Sequence, residues 1–337
     1  MIGRRLFLGG VLASLSLSAW AVGEVIMLEV NCPERAFDQV RRDLAKMQAA
    51  SPDAPDDAEF LRRGRAWLGG PQVDRSGPEW RAAEGVPIRV VKPDGQARGV
   101  VLQMHGGGWV MGNAASDRKM AEELANRAGV AVVSVDYRLA PEHPFPAGID
   151  DCVTAADWLL RNAQSQFGTS KVALMGCSAG SHLAAMTLLR LGPRATQFSA
   201  AVLYYGVYDL GVTPGARLAP DDDHPDLTTT SIRRMIHWFT PGLQPEQRRV
   251  AAISPLYAPV PKLPETLFLV GGADILVDDT LYLAQRWSEK NMVRVALFAG
   301  APHGFNMYPL DGVDDSVTMV CDFLAEKLSQ FGYPSFR

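Results

Sequence analysis

Apolar positions along the chain change their spacing near residue 86. Before that point the pattern is helical. Phe37, Val40, Leu44 and Met47 recur at the intervals of one helix face. Ser51-Pro52-Asp53-Ala54-Pro55 breaks the run, and a second helix is predicted from Asp57 to Leu68. From Val86 onward, short continuous apolar runs alternate with helical patterns. Strands are predicted at Val86–Val91 and Gly99–Met104, joined at the turn Pro93-Asp94-Gly95. Further strands are predicted at Val130–Val135, Lys171–Met175, Ala200–Tyr205, Thr266–Val270 and Val293–Phe298. The intervening helices run from a Ser116 cap through Ala128, over Ile149–Leu160, from Ser181 to Arg190, from about Asp278, and from about Asp315 to Leu328. Strands that are apolar throughout, alternating with helices, predict an α/β fold with a mostly parallel central sheet covered on both faces.

The alternation stops between about 211 and 253. That stretch holds Pro214, Pro220, Pro225 and the acidic run Asp221-Asp222-Asp223, then a helix around Ile232–Phe239. An insertion of this length beside a functional edge is typically a lid. With residues 22–81, read as a helical segment, it is expected to form a cap over a catalytic domain spanning 82–337. Trp109, Trp238 and Phe239 are candidates for an acyl pocket under that cap or, alternatively, for the core.

The first 21 residues have a different character. Met1-Ile2-Gly3-Arg4-Arg5 is a basic head, Leu6 to Trp20 carries no charge, and Ala19-Trp20-Ala21 is an A-x-A site. This layout predicts a secretory signal cleaved after Ala21, and Arg4-Arg5-Leu6-Phe7-Leu8 resembles the twin-arginine export motif. The expected location is therefore periplasmic or secreted, with no stable membrane partner after cleavage. A net charge of −4 over 337 residues, with 47% hydrophobic and 21% charged residues, argues against a nucleic-acid binder. Cys32, Cys152, Cys177 and Cys321 are scattered, with no C-x-x-C pair to hold zinc or run thiol exchange.

Chemistry concentrates at Gly176-Cys177-Ser178-Ala179-Gly180, a G-x-S-x-G between a strand and a helix. That context is a nucleophile elbow, which lifts the Ser178 hydroxyl clear of the sheet and turns the Ala179 amide toward a reacting carbonyl. Acyl transfer also needs a base, a group to orient it, and donors for the oxyanion. His303, just past the last strand, is the candidate base, and His182, one turn down the elbow helix, is read as packed or exposed. Asp274, directly after the preceding strand, is favoured as the orienting acid over Asp278; Asp278 or Asp279 fits a helix cap. His105-Gly106-Gly107-Gly108-Trp109 follows another strand end, and the amides of Gly107 and Gly108 join that of Ala179 as candidate oxyanion donors, with Gly106 shaping the turn. No Walker lysine or dinucleotide motif accompanies those glycines.

Taken together, these motifs resemble the hormone-sensitive-lipase-like (family IV) carboxylesterases of the α/β-hydrolase superfamily. Asp136-Tyr137-Arg138-Leu139-Ala140-Pro141-Glu142-His143-Pro144-Phe145-Pro146-Ala147 and Ile253-Ser254-Pro255-Leu256-Tyr257 are similar to further signatures of that group. The resemblance runs from about Val86 to the C-terminus. It implies an α/β-hydrolase fold and a Ser178-Asp274-His303 esterase for small, mostly apolar ester substrates, without metal or organic cofactor. It also implies a cap made of both helical excursions. Three positions depart from the usual pattern: Cys177 where Asp or Thr precedes the serine, Ser181 where Gly is usual, and Ile275 where Pro follows the acid. Cys177 is expected to be buried beside the elbow, its side chain away from the glycine loop. Gly180-Ser181-His182-Leu183-Ala184-Ala185 also resembles exported acetyl or feruloyl polysaccharide esterases and kynurenine formamidases. A non-catalytic ligand receptor on the same fold is the remaining alternative. The oligomeric state is not legible.

Overall fold

The computed structural model describes residues 17–22, 25–30, 42, 56–68, 79–220, 227–307 and 313–329. Among them, ten strands form one sheet: β1 (Leu17–Val22), β2 (Val25–Val30), β3 (Trp80–Ala83), β4 (Val86–Val91), β5 (Val100–Met104), β6 (Ala131–Val135), β7 (Val172–Cys177), β8 (Ala200–Tyr204), β9 (Glu265–Gly271) and β10 (Val293–Phe298). Their spatial order is β1-β2-β10-β9-β8-β7-β5-β6-β4-β3. From β2 to β6 every neighbouring pair is parallel, and β1, β4 and β3 pair antiparallel at the two ends.

The central strands are buried at every position, as β5, β6, β7 and β8 show. Such strands need helices on both faces. The helices are α1 (Asp57–Trp67), α2 (Arg118–Ala128), α3 (Ala147–Phe167), α4 (Ala179–Leu191), α5 (Pro214–Leu218), α6 (Thr229–Phe239), α7 (Pro245–Arg248), α8 (Val277–Ser288) and α9 (Val313–Leu328). One apolar layer joins Ile149 of α3, Leu183 of α4 and Leu283 of α8 to Leu102 and Val133. The opposite layer joins Leu124 of α2 and Leu324 of α9 to Val101, Val132 and Met175.

Two expectations need correction. Residues 22–81 are not helical throughout, because β2 lies within them and β3 begins at Trp80, and both extend the sheet toward its two ends. Val25-Ile26-Met27-Leu28-Glu29-Val30 is an apolar, partly β-branched run that suits a strand once β10 offers it a parallel edge. The Pro93–Gly95 turn joins β4 to β5, as expected, and β6 lies between the two in the sheet. Ser116 is not the cap of α2; its hydroxyl donates to the Leu68 carbonyl at 2.7 Å and accepts from the Asn113 amide at 2.9 Å, tying the end of α1 to the glycine loop.

The last residues of the expected export signal fall on β1, which pairs with β2 from Leu17↔Val30 to Val22↔Val25. Of the expected helix over 35–47 only Arg42 is described, and it is helical. The acidic run at 221–223 lies outside the described residues.

The two excursions meet. Phe60 of α1 packs on Trp238 of α6 with ring centroids 5.7 Å apart. Arg234 of α6 stacks over Phe60 at 5.1 Å and pairs with Asp57 at 3.3 Å. An N-terminal helix and the insertion therefore form one layer above the C-terminal ends of the central strands. Open parallel sheets bind ligands at that end.

Candidate active site

The site is built from four strand ends. β7 stops at Cys177, and Ser178 turns with φ 54° and ψ −121° into α4. A non-glycine residue at positive φ is strained, and the surrounding backbone holds it. The Ser178 amide donates to the Tyr204 carbonyl at 2.9 Å, and the Ser178 carbonyl accepts from Ser181 at 2.9 Å. Both elbow glycines are needed for space. A β-carbon on Gly176 would strike the Gly180 backbone, and one on Gly180 would strike the Met104 and His105 carbonyls.

His303 lies in the loop after β10. Its Nε2 accepts from the Ser178 hydroxyl at 2.9 Å, and its Nδ1–H donates to Asp274 Oδ2 at 2.8 Å. Asp274 is 2% exposed, in the loop after β9. The Leu276 amide holds its other carboxylate oxygen, Oδ1, at 2.8 Å. The carboxylate thus faces the imidazole from a fixed backbone. Asp278, the rival acid, points elsewhere and accepts from the Gly215 amide at 3.2 Å. Asp279 is a buried clamp whose carboxylate accepts from the Tyr208 and Asp209 amides at 2.6 and 2.8 Å and from Thr213 at 2.7 Å. Burial raises its pKa to about 7, against the pull of those donors. It does take backbone amides, as expected, but from the loop that leads into the insertion rather than from its own helix.

The glycine loop runs beside the serine. A β-carbon on Gly106 would lie 3.5 Å from that of Ser178. His105 Nδ1–H donates to the Gly106 carbonyl at 2.7 Å, and its ring stacks on Tyr137 with centroids 4.1 Å apart. The Gly107 carbonyl accepts from Val110 and Met111 at 3.1 and 3.0 Å, closing the turn. Those bonds turn the carbonyls away. Among the described residues nothing accepts from the amides of Gly107, Gly108 and Ala179. Such a cluster of open donors can receive an oxyanion.

A profile of a family described as the alpha/beta hydrolase fold matches residues 101–307. An acetyl-hydrolase of Streptomyces hygroscopicus is 32% identical over 223 residues, 66% of this chain and 69% of that protein. A carboxylesterase of Mycobacterium tuberculosis is 34% identical over 202 residues, 58% and 62% of the two chains. A crystal structure of an esterase from the bacterial hormone-sensitive lipase family superposes with a TM-score of 0.74 at 28% identity, covering 88% of this chain and 100% of that one. The chain belongs to the hormone-sensitive-lipase-like group of α/β hydrolases.

Within this hydrolase the unusual residues are accommodated. Ser181 is fully buried, and its hydroxyl lies 2.7 Å from the Gly176 carbonyl and 2.8 Å from that of Tyr204. Cys177 is buried beneath the elbow, as expected; burial, reinforced by the charge of Asp117, pushes its thiol well above the ordinary value. Ile275 is 4% exposed and packs in the core.

Of the candidate acyl-pocket residues, Trp238 turns to Phe60. Trp109 and Phe239 are 1% and 2% exposed and stack on each other at 4.8 Å. They back the glycine loop from the cap side instead of lining an open pocket. The side chain that touches the loop is Met235 of α6, whose sulfur occupies the place a β-carbon on Gly108 would need. His182 is neither exposed nor a passive filler. The Trp109 indole donates to its Nδ1 at 3.0 Å, and its Nε2–H donates to the Ile253 carbonyl at 2.7 Å. The α-helical spacing of Ile232, Met235, Ile236 and Phe239 was the one sequence signal for a buried face on α6.

Proposed function

We propose that the protein is a serine carboxylesterase that cleaves small, mostly apolar, short- to medium-chain esters through an acyl-enzyme. Carboxylic-ester hydrolysis is the activity of the family it belongs to. The observation that carries the finer reading is the unbroken relay from Ser178 through His303 to Asp274, with contacts of 2.9 and 2.8 Å. In this reading Ser178 attacks the ester carbonyl while His303 Nε2 takes its proton. Asp274 holds the imidazole tautomer and stabilises the imidazolium. The amides of Gly107, Gly108 and Ala179 receive the oxyanion, each worth ~3 kcal/mol in the transition state. His303 then protonates the leaving alcohol. Water, deprotonated by the same nitrogen, releases the acid and restores Ser178.

Met235 supports the short-chain preference, because a methionine against the Gly108 backbone narrows the space beside the reacting carbonyl. A nitrophenyl ester series from acetyl to dodecanoyl tests this. The expected kcat/KM peaks at the short end, and Met235→Ala moves the peak to longer chains. A parent peak at long chains, or no movement in Met235→Ala, counts against it. Acetylated xylan and formylkynurenine belong in the same panel, since the elbow sequence also resembles enzymes for those substrates. Faster turnover of either than of simple esters would replace this reading.

Export through the N-terminal signal is part of the same proposal, supported by the basic head, uncharged run and A-x-A site of residues 1–21. Cleavage after Ala21 would remove most of β1 and leave β2 as the outer strand. Periplasmic fractionation with N-terminal sequencing tests it. Protein retained in the cytoplasm with its first residues intact would contradict it.

A further inference from the structure

Tyr205 follows β8 in a conformation with φ 36°, which is costly for an aromatic residue. Backbone strain of this kind persists only where the surroundings over-determine it. Here they do. The Tyr205 amide donates to the Leu269 carbonyl at 2.7 Å, fixing the residue against β9. The side chain is 2% exposed, and its ring meets the His303 ring edge-on with centroids 4.8 Å apart. Its hydroxyl donates to Asn306 Oδ1, three residues beyond His303. The carbonyl of the preceding residue, Tyr204, accepts from the Ser178 amide at 2.9 Å.

Residue 205 thus follows the strand end that holds the Ser178 amide, and its side chain touches the histidine ring and the turn that follows it. We propose that Tyr205 is a positioning residue: its hydroxyl, through Asn306, and its ring, through direct contact, hold the His303 loop in register with the elbow. The inference rests on the reading of Ser178 and His303 as nucleophile and base. Phe305 already anchors the loop in the core, 4.7 Å from Phe298 and 5.8 Å from Tyr205. The loop would therefore stay folded without the hydroxyl, but its histidine would be held less tightly. An angstrom of misplacement of a catalytic group can cost about 100-fold in rate.

The test compares the parent with Tyr205→Phe, Asn306→Ala, the double variant and Ser178→Ala on a nitrophenyl acetate substrate. Tyr205→Phe keeps the ring and loses the hydroxyl. Its kcat should fall about 10- to 100-fold with KM within about twofold, while the melting temperature stays near that of the parent. Phosphonylation of Ser178 by a small fluorophosphonate should slow by the same factor. Asn306→Ala should reproduce the loss, and the double variant should be no slower than either single one, because all three remove the same bond. If Tyr205→Phe does not fold, Asn306→Ala carries the test by the same criteria. A kcat within twofold of the parent, or losses that multiply in the double variant, overturns the inference. Full turnover by Ser178→Ala would instead overturn the functional reading on which it rests.

Discussion

The indole N–H of Trp109 donates to Nδ1 of His182 at 3.0 Å, joining the glycine loop to the helix that starts at Ser178. The second ring nitrogen is held by the Ile253 carbonyl at 2.7 Å, so the imidazole is the neutral Nε2–H tautomer with both nitrogens engaged. Trp109 also has φ 63° and stacks on Phe239 of α6. A non-glycine residue strained at the end of the glycine loop is therefore pinned by the elbow helix on one side and the cap on the other.

The burial of His182 sets a pH dependence of stability. Burial lowers the pKa of His182 from 6.5 to about 4, against the help of the Ile253 carbonyl. Between those values the unfolded chain binds a proton that the folded chain does not. The stabilising contribution is whole above 6.5 and is lost as pH falls through that window toward 4. Buried His105, also lowered to about 4, acts in the same direction. Asp279, raised from 3.8 to about 7, acts in the opposite one, and its contribution is lost as pH rises through 7. Thermal melts of the parent and His182→Gln at pH 7, 6, 5 and 4 check this. The variant should lose stability less steeply on acidification, and parallel slopes would contradict the assignment.

The glycine loop makes a second prediction. A β-carbon at 108 would overlap the Met235 sulfur, whereas one at 107 would overlap the Met111 backbone carbonyl. Both positions also have positive φ, 58° and 114°. Gly108→Ala and Gly107→Ala should each lower kcat at least about 100-fold by displacing a proposed oxyanion donor. Adding Met235→Ala should restore part of the loss at 108, because a flexible side chain can be removed. It should restore none at 107, where the obstacle is backbone. Steady-state kinetics of the two double variants decide the point.

The acid assignment is checked by a pair of substitutions. Asp274→Asn should lower kcat by about four orders of magnitude, since the amide no longer fixes the tautomer that leaves Nε2 free to accept. Asp278→Asn should stay within about threefold of the parent, because among the described residues Asp278 reaches the Gly215 amide and not His303. Comparable losses in the two variants would place the orienting role elsewhere.

What the sequence discloses follows from how each residue earns its place. Ser178, Asp274 and His303 each sit directly past a strand of a parallel sheet, so local pattern and chain order suffice to find them. Gly106, Gly107 and Gly108 are visible because a run of glycines after a buried strand has few other uses. Met235, His182 and Tyr205 are hidden, because their roles depend on which helix face or strand end meets which loop across the fold. Trp109 and Phe239 are legible as aromatic and near the site, but sequence cannot tell a pocket wall from the packing behind it. The strand β2 is obscured for a related reason, since the parallel edge it pairs with is offered by β10, far along the chain. β3 is hidden differently: it is short and half exposed, and it meets β4 across the turn at Glu84-Gly85.

In the proposed mechanism the Ser178 hydroxyl oxygen is acylated in each turnover. The most direct measurement is intact-protein and peptide mass spectrometry after titration with a short-chain nitrophenyl phosphonate, with residual esterase activity followed in parallel. One phosphonyl group per chain is expected, located on Ser178, appearing in step with loss of activity and absent in Ser178→Ala. Complete inactivation with the label on another residue, or full activity retained in a chain fully labelled at Ser178, would contradict it.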